Sequence, residues 1–228
     1  NTTMQHLLSG IDPTQLGQVP FVAAHGRGLL LPAGELGVTI HPRGSGYVFP
    51  VIGGFVGGDT VAGLLATDLA DLDGPVMMVD IGTNGEIVLA RDGQLWAAST
   101  AAGPAFEGAR ISCGMRAAAG AIEKVVFDGD VRCSVIGDVE PVGLCGSALV
   151  DLAAGLLDAG VVTSAGRMLP PDELPADLPD AIRARVSLDD VGHSQFVLTG
   201  DGAVSISQRD IRELQLAAGA IRAGVSIL

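Results

Sequence analysis

The hydrophobic pattern of this chain changes period several times, and each change marks an element. Val76 to Val79 is a continuous apolar run that stops at Asp80. A second run, Ile87 to Ala90, follows the glycine-bracketed turn Gly82-Thr83-Asn84-Gly85. With a third segment, these runs predict strands at about 76–80, 86–91 and 94–99, joined by tight turns. Short strands are expected near 122–127 and 131–136, and a hairpin from Ser194–Leu198 and Ala203–Ile206. Helical spacing starts at Asp59 or Thr60 and continues to Ala66. It returns from Gly146-Ser147 to Asp158, with Gly160 as the stop. From Gln208 to Leu228 a long amphipathic helix is predicted, with Ile211, Leu214, Leu216, Ala217, Ile221 and Val225 on a broad apolar face. Thr2–Leu8 reads as a short helix capped by Thr2 or Thr3. Residues 10–50, rich in Gly and Pro, predict an irregular connection. Residues 164–182, with Pro170, Pro171, Pro175 and Pro179, predict a mobile surface insertion.

Composition narrows the function classes. The 228 residues make one large domain or two small ones, and 48% hydrophobic against 17% charged content allows a sizeable core. A formal charge of −13 disfavours nucleic acid and anionic membranes as partners, since both need basic patches. Cys113, Cys133 and Cys145 are widely spaced and include no CxxC, so reduced thiols in a cytoplasmic protein are expected rather than a disulfide framework or a cluster. Neither a signal peptide nor an apolar run near the roughly 20 residues of a membrane helix is found. The chain begins at Asn1 without an initiator Met and stops at Leu228 inside a predicted helix, so a piece of a longer protein is expected.

Candidate chemistry concentrates in Val79-Asp80-Ile81-Gly82-Thr83-Asn84-Gly85-Glu86-Ile87. Glycines at 82 and 85 permit positive φ and leave no Cβ in the way, so backbone N–H groups can close around an anion. Asp80, at the strand end, is placed to hold a water-coordinated Mg²⁺ beside it. An ordinary hairpin with an Asn-Gly turn fits the same nine residues. The thiol of Cys145, before the helix at Gly146, is either an anion-proximal cysteine or a buried one with Ser147 as N-cap.

Six motifs occur in a fixed order: Asn1-Thr2-Thr3-Met4, Gly54-Phe55-Val56-Gly57-Gly58-Asp59, Asp80 to Glu86, Ala101 to Gly108, Gly143-Leu144-Cys145-Gly146-Ser147, and Asp210 to Ala217. In this order, over nearly the whole chain, they resemble the carboxy-terminal actin-like ATPase (ASKHA-type) domain of the reductive activators of corrinoid proteins. The resemblance implies an α/β, actin-like ATPase or RNase H-like fold, with a mixed sheet flanked by helices. It implies an incomplete fragment: 1–72 closing a first subdomain, and 73–228 a second, truncated one with an insertion at 164–206. It further implies an ATP-dependent iron–sulfur protein that restores inactivated Co(II) corrinoid proteins for methyl transfer. The 2Fe-2S cluster would sit in an amino-terminal module outside this fragment. Partners would be a corrinoid protein or its methyltransferase, with a homodimer by family.

The resemblance also implies site roles. Asp80 would orient Mg²⁺ through water, and Asp59 would help place the metal and the attacking water. Gly82, Thr83, Asn84, Gly85 and Glu86 would line the phosphates. Gly103, Pro104, Glu107 and Gly108 would lie over the cleft, and Gln215 would border the adenosine. Relatives place a Lys after the Gln-Leu-Ala triplet where this chain has Ala218, which weakens the adenosine contact; Arg222, one turn later, is its nearest substitute. The fragment alone is expected to be inactive. Two other functions fit the same residues: a non-catalytic docking module for a corrinoid protein or methyltransferase, and, less well, a small-molecule kinase.

Overall fold

A computed structural model describes residues 2–228, so Asn1 of the first motif lies outside the described residues. The chain forms two compact units. One comprises residues up to Asp80, Gly85–Thr100 and Ala223–Leu228, and the other Ile81–Asn84 and Ala101–Arg222.

The first unit opens with α1 (Thr2–Leu8). Thr2 and Thr3 lie inside the helix rather than capping it. The Thr2 carbonyl accepts from His6 Nδ1 at 2.8 Å, and the Ala24 N–H donates to His6 Nε2 at 3.0 Å. A carbonyl only accepts and an amide only donates, so the fully buried imidazole is fixed in one tautomer and ties α1 to the following segment. The stretch expected to be irregular contains a hairpin, β1 (Leu29–Pro32) and β2 (Ser45–Val48), with Leu29 opposite Val48. Its strands are four residues long and carry Pro32 and Gly46, which hides them from a period-based reading.

Helix α2 (Gly58–Ala66) has Gly57 at its N-cap. Its first amide is satisfied from a distance, because Gly58 N–H donates to Gln5 Oε1 at 2.9 Å. Strands β3 (Val76–Ile81), β4 (Gly85–Arg91) and β5 (Gln94–Thr100) form a sheet in that order, with β4 and β5 antiparallel. Val88 and Ala90 pack with Leu64 and Leu69 in a small core. Ile87 points to the other side, where a Cβ on Gly224 would press on it. The centre strand is therefore covered on both faces, which explains its unbroken apolar run.

The second unit contains β6 (Ala121–Asp128), antiparallel to β7 (Asp130–Val135) and parallel to β8 (Gly143–Leu144). Then come α3 (Gly146–Asp158), α4 (Asp180–Arg183), an antiparallel sheet of β9 (Val186–Leu188), β10 (Ser194–Val197) and β11 (Ser205–Ser207), and α5 (Gln208–Ile227). Its core includes Ile122, Leu149, Leu152, Leu156, Phe196 and Ile206.

Two expectations are corrected here. The segment 164–182 is not a mobile surface insertion: Met168, Leu174, Leu178 and Ile182 are buried in this core. Its prolines start short turns, Pro171–Glu173 and then α4 after Pro179, and so mask the apolar spacing. On α5, Ile211 and Ala217 are buried but Leu216 is 67% exposed. At 3.6 residues per turn Leu216 falls opposite the Ile211–Leu214–Ile221 stripe.

Arg185 ties β7 to this sheet. Its guanidinium forks onto the two Asp130 carboxylate oxygens at 2.7 and 3.0 Å and also donates to the Leu198 carbonyl at 2.9 Å. The hydrogen bonds from Arg185 hold the Asp130 carboxyl at about 2, below its ordinary 3.8. A depressed carboxyl stabilises the fold above its unfolded pKa, and that contribution is lost as pH falls through the folded one. The unfolding midpoint should therefore fall between pH 3.8 and about 2 more steeply in the wild type than in Arg185→Met. Equal slopes in an acid titration would refute the assignment.

Candidate functional site

The turn between β3 and β4 is short because Gly82 N–H donates to the Asn84 carbonyl at 3.0 Å. Neither Gly82 nor Gly85 adopts positive φ, contrary to the expectation for an anion-cradling turn; the left-handed side of the map is used instead at Gly103 (φ 77°) and Gly108 (φ 80°). Gly85 is buried as the first residue of β4, opposite Thr100. Asp80, Thr83 and Asn84 are exposed.

Thr83 is the centre of the contacts. Its N–H donates to Glu107 Oε1 at 3.1 Å, and its hydroxyl donates to the same oxygen. Its carbonyl accepts from Gly103 N–H at 2.8 Å. The structure thus brings together Thr83, Gly103 and Glu107, three of the residues that the sequence marks. The loop has a local cause: Pro104 opens a 3-10 turn, Pro104–Glu107, and Gly108 closes it with an N–H to the Ala105 carbonyl at 3.0 Å.

A second group of acids lies in the first unit. Glu86 is half-buried and accepts from Ser99 Oγ at 3.1 Å. Burial pushes its carboxyl up, and the negative charges of Asp59 and Asp80 add to the push, while the Ser99 hydroxyl opposes it. Asp59 sits in the first turn of α2, where its carboxylate accepts from Thr60 N–H at 2.8 Å. Neither Asp59 nor Asp80 has an ion-pair partner among the described residues. A cation would relieve this repulsion. Among the described residues no three His, Cys, Asp or Glu side chains converge closely enough to hold a metal directly. Carboxylates without a direct ligand cluster are the donor type that a water-coordinated Mg²⁺ would use. The cysteines are free thiols, with Cys145 buried and Cys113 and Cys133 half-buried.

Gln215 is engaged elsewhere: its Nε2 donates to the Ala165 carbonyl at 3.3 Å, and its Oε1 accepts from Arg212 at 2.6 Å. Ala218 lines a small apolar cavity of about 170 Å³ with Ala153, Leu157 and Leu214. Ser147 does not cap α3. Cys145 occupies the N-cap, and Ser147 Oγ donates to the Glu123 carbonyl at 2.6 Å.

Sequence reasoning assigns no role of its own to Asp210, which anchors the start of α5. Its fully buried carboxylate accepts from the N–H and Oγ of both Ser112 and Ser207. The Ser207-x-x-Asp210 spacing is a capping-box signal that points to this anchor.

Comparison with known proteins finds relatives along the whole chain. Residues 74–228 match the family model of the C-terminal domain of RACo, the ASKHA domain, and residues 1–72 match the RACo middle region. The chain is 38% identical over 235 residues to the corrinoid activation enzyme RamQ of Eubacterium limosum, which covers 100% of this chain and 39% of that protein. It is 32% identical over 185 residues to the [Co(II) methylated amine-specific corrinoid protein] reductase of Methanosarcina barkeri, over 76% of this chain and 32% of that protein. A solved structure of a reductive activator for corrinoid, iron-sulfur protein matches with a TM-score of 0.80 and 37% identity, over 99% of this chain and 36% of that one. The chain thus spans about two-fifths or less of the length of these relatives. With these two consecutive family models matching residues 1–72 and 74–228, the chain belongs to the RACo family, carrying sequence of its middle region and of its C-terminal ASKHA domain.

Proposed function

We propose that the full-length protein is an ATP-dependent reductive activator that restores an inactivated Co(II) corrinoid protein for methyl transfer, and that this chain carries part of its nucleotide cleft. Family membership supports the activity. The observation that carries the nucleotide reading is the convergence of the Thr83 N–H and hydroxyl on one carboxylate oxygen, because the same donor pair suits a phosphate oxygen. Asp80 and Asp59 would hold a hydrated Mg²⁺ through water and help place the attacking water. Gly82, Thr83, Asn84, Gly85 and Glu86 serve the phosphates, Gly103, Pro104, Glu107 and Gly108 shape the loop over them, and Gln215 borders the adenosine. Bound Mg-ATP would supply phosphoryl-transfer energy, and the residues of this chain position it rather than react with it covalently. A 2Fe-2S module outside this chain would supply the electron. We assign residues 1–72 and 73–228 to successive subdomains of a cytoplasmic homodimer that docks a corrinoid protein or its methyltransferase. No helix among the described residues is long and apolar enough to cross a membrane.

A docking module without nucleotide is the second reading. It is favoured by Ala218 in place of a Lys and by the engagement of Gln215 with Ala165. Thermal unfolding of the full-length protein separates the two. Mg-ATP at a hundredfold excess over Kd should stabilise the wild type by about 2.7 kcal/mol. Asp80→Ala should lose about half of that shift or more, since removing a group that holds a metal through water costs about 10–100-fold in affinity. No shift in the wild type would favour the docking module.

A further inference from the structure

We infer that Glu107 is an internal stand-in for phosphate, held by Thr83 when no ligand is present and handed to Arg116 when one binds. The inference rests on the phosphate reading of the hairpin proposed above. It adds that the site is self-occupied, so that ligand affinity is set by a competition within the chain.

Both polar hydrogens of Thr83 go to a single oxygen, Glu107 Oε1. A phosphate oxygen in that place would need the same two hydrogens, and two anions cannot share them. Glu107 must leave before phosphate is bound by Thr83. Little else holds it. Its side chain is exposed, and Oε2 accepts nothing among the described residues.

The destination lines the same cavity as Glu107. Glu107 lines a cavity of about 500 Å³ with Phe106, Met115, Arg116, Cys145 and Ser147. Arg116 is the one cationic side chain in that lining, and it has neither an ion pair nor a hydrogen bond among the described residues. A planar guanidinium facing a cavity beside a movable carboxylate is suited to a forked pair. The backbone need not follow. Gly108 is packed against Gly114 and Met115, and Gly103 N–H stays on the Thr83 carbonyl. The exchange is a rotation of one side chain between two partners.

Calorimetric titration with Mg-ATP tests this in the full-length protein, using wild type, Glu107→Gln, Arg116→Ala and the double variant. Glu107→Gln keeps the shape but removes the competing charge, so Mg-ATP should bind about three- to tenfold tighter. Arg116→Ala removes the destination and should weaken binding about two- to fivefold in the wild type, yet change nothing in the Glu107→Gln background. If the wild type binds and Glu107→Gln binds no tighter, the stand-in role is overturned and the phosphate reading survives. A loss from Arg116→Ala that persists beside Glu107→Gln overturns Arg116 as the destination. Binding by none of the four overturns both readings.

Discussion

Alanine in place of Asp210 is expected to lower the unfolding free energy by about 3 kcal/mol, because it removes the one buried carboxylate on which two backbone N–H groups and two serine hydroxyls converge. The carboxylate is fully buried and takes Ser112 N–H and Ser207 N–H, each at 2.8 Å, together with both serine hydroxyls. The hydroxyls can rotate to new partners, but the amides cannot. Ser207 Oγ in turn accepts from the backbone N–H of residue 210 at 3.3 Å, a bond that alanine keeps, so the start of α5 loses the half of its cap that the carboxylate supplies. The tie to Ser112 matters more, since it crosses 98 positions of sequence and fixes α5 against the loop that follows Ile111. Asparagine keeps the shape but offers a single acceptor, so its cost should fall between wild type and alanine. Urea unfolding of the three proteins checks this. A loss under about 1 kcal/mol for alanine would show that the anchor is replaceable.

The same residue shows what sequence reasoning reads well and what it misses. Helix α3 and strand β4 follow directly from apolar spacing, because their apolar residues are buried, while β3 and β5, half-buried or exposed, are legible from the turns that bound them. The hairpin of β1 and β2 does not follow, because four-residue strands interrupted by Pro32 and Gly46 give no period to detect. Residues 164–182 mislead for a related reason: Met168, Leu174, Leu178 and Ile182 are core, but prolines between them set the spacing by turns. At the candidate site, the motifs point to Thr83, Gly103 and Glu107, and the structure joins them by hydrogen bonds. The partner of Thr83 is not legible. A pairing across 24 positions depends on where the 3-10 turn at Pro104 directs the chain, and no local pattern carries that. Asp210 is legible in part, through its capping-box spacing, while its bond to Ser112 is not.

Gly108→Ala is the second large effect, about 2–5 kcal/mol, and its cause differs from that of the neighbouring Gly103→Ala. Both glycines stand out in the sequence as loop residues that let backbone approach a ligand. Gly108 instead approaches its own chain. A Cβ there would meet Gly114 C and Met115 O at 2.8 Å, and would also press on Met115 N. These are backbone atoms that no rotamer change can move. The left-handed φ of 80° adds a conformational cost of its own. Gly103, with φ 77° and ψ 170°, has nothing within 4 Å of the place a Cβ would take, so alanine there meets conformational strain alone, about 1–3 kcal/mol. Asparagine separates the two causes. It tolerates the left-handed turn at Gly108 but brings the same Cβ, so Gly108→Asn should be nearly as destabilised as Gly108→Ala. Recovery of more than half the loss by asparagine would show that φ, not packing, is decisive. Glu107 is held between these two glycines, so forcing Gly114 and Met115 away should also shift its carboxylate from Thr83. Gly108→Ala should therefore change Mg-ATP affinity in the full-length protein, even at temperatures where the variant is fully folded.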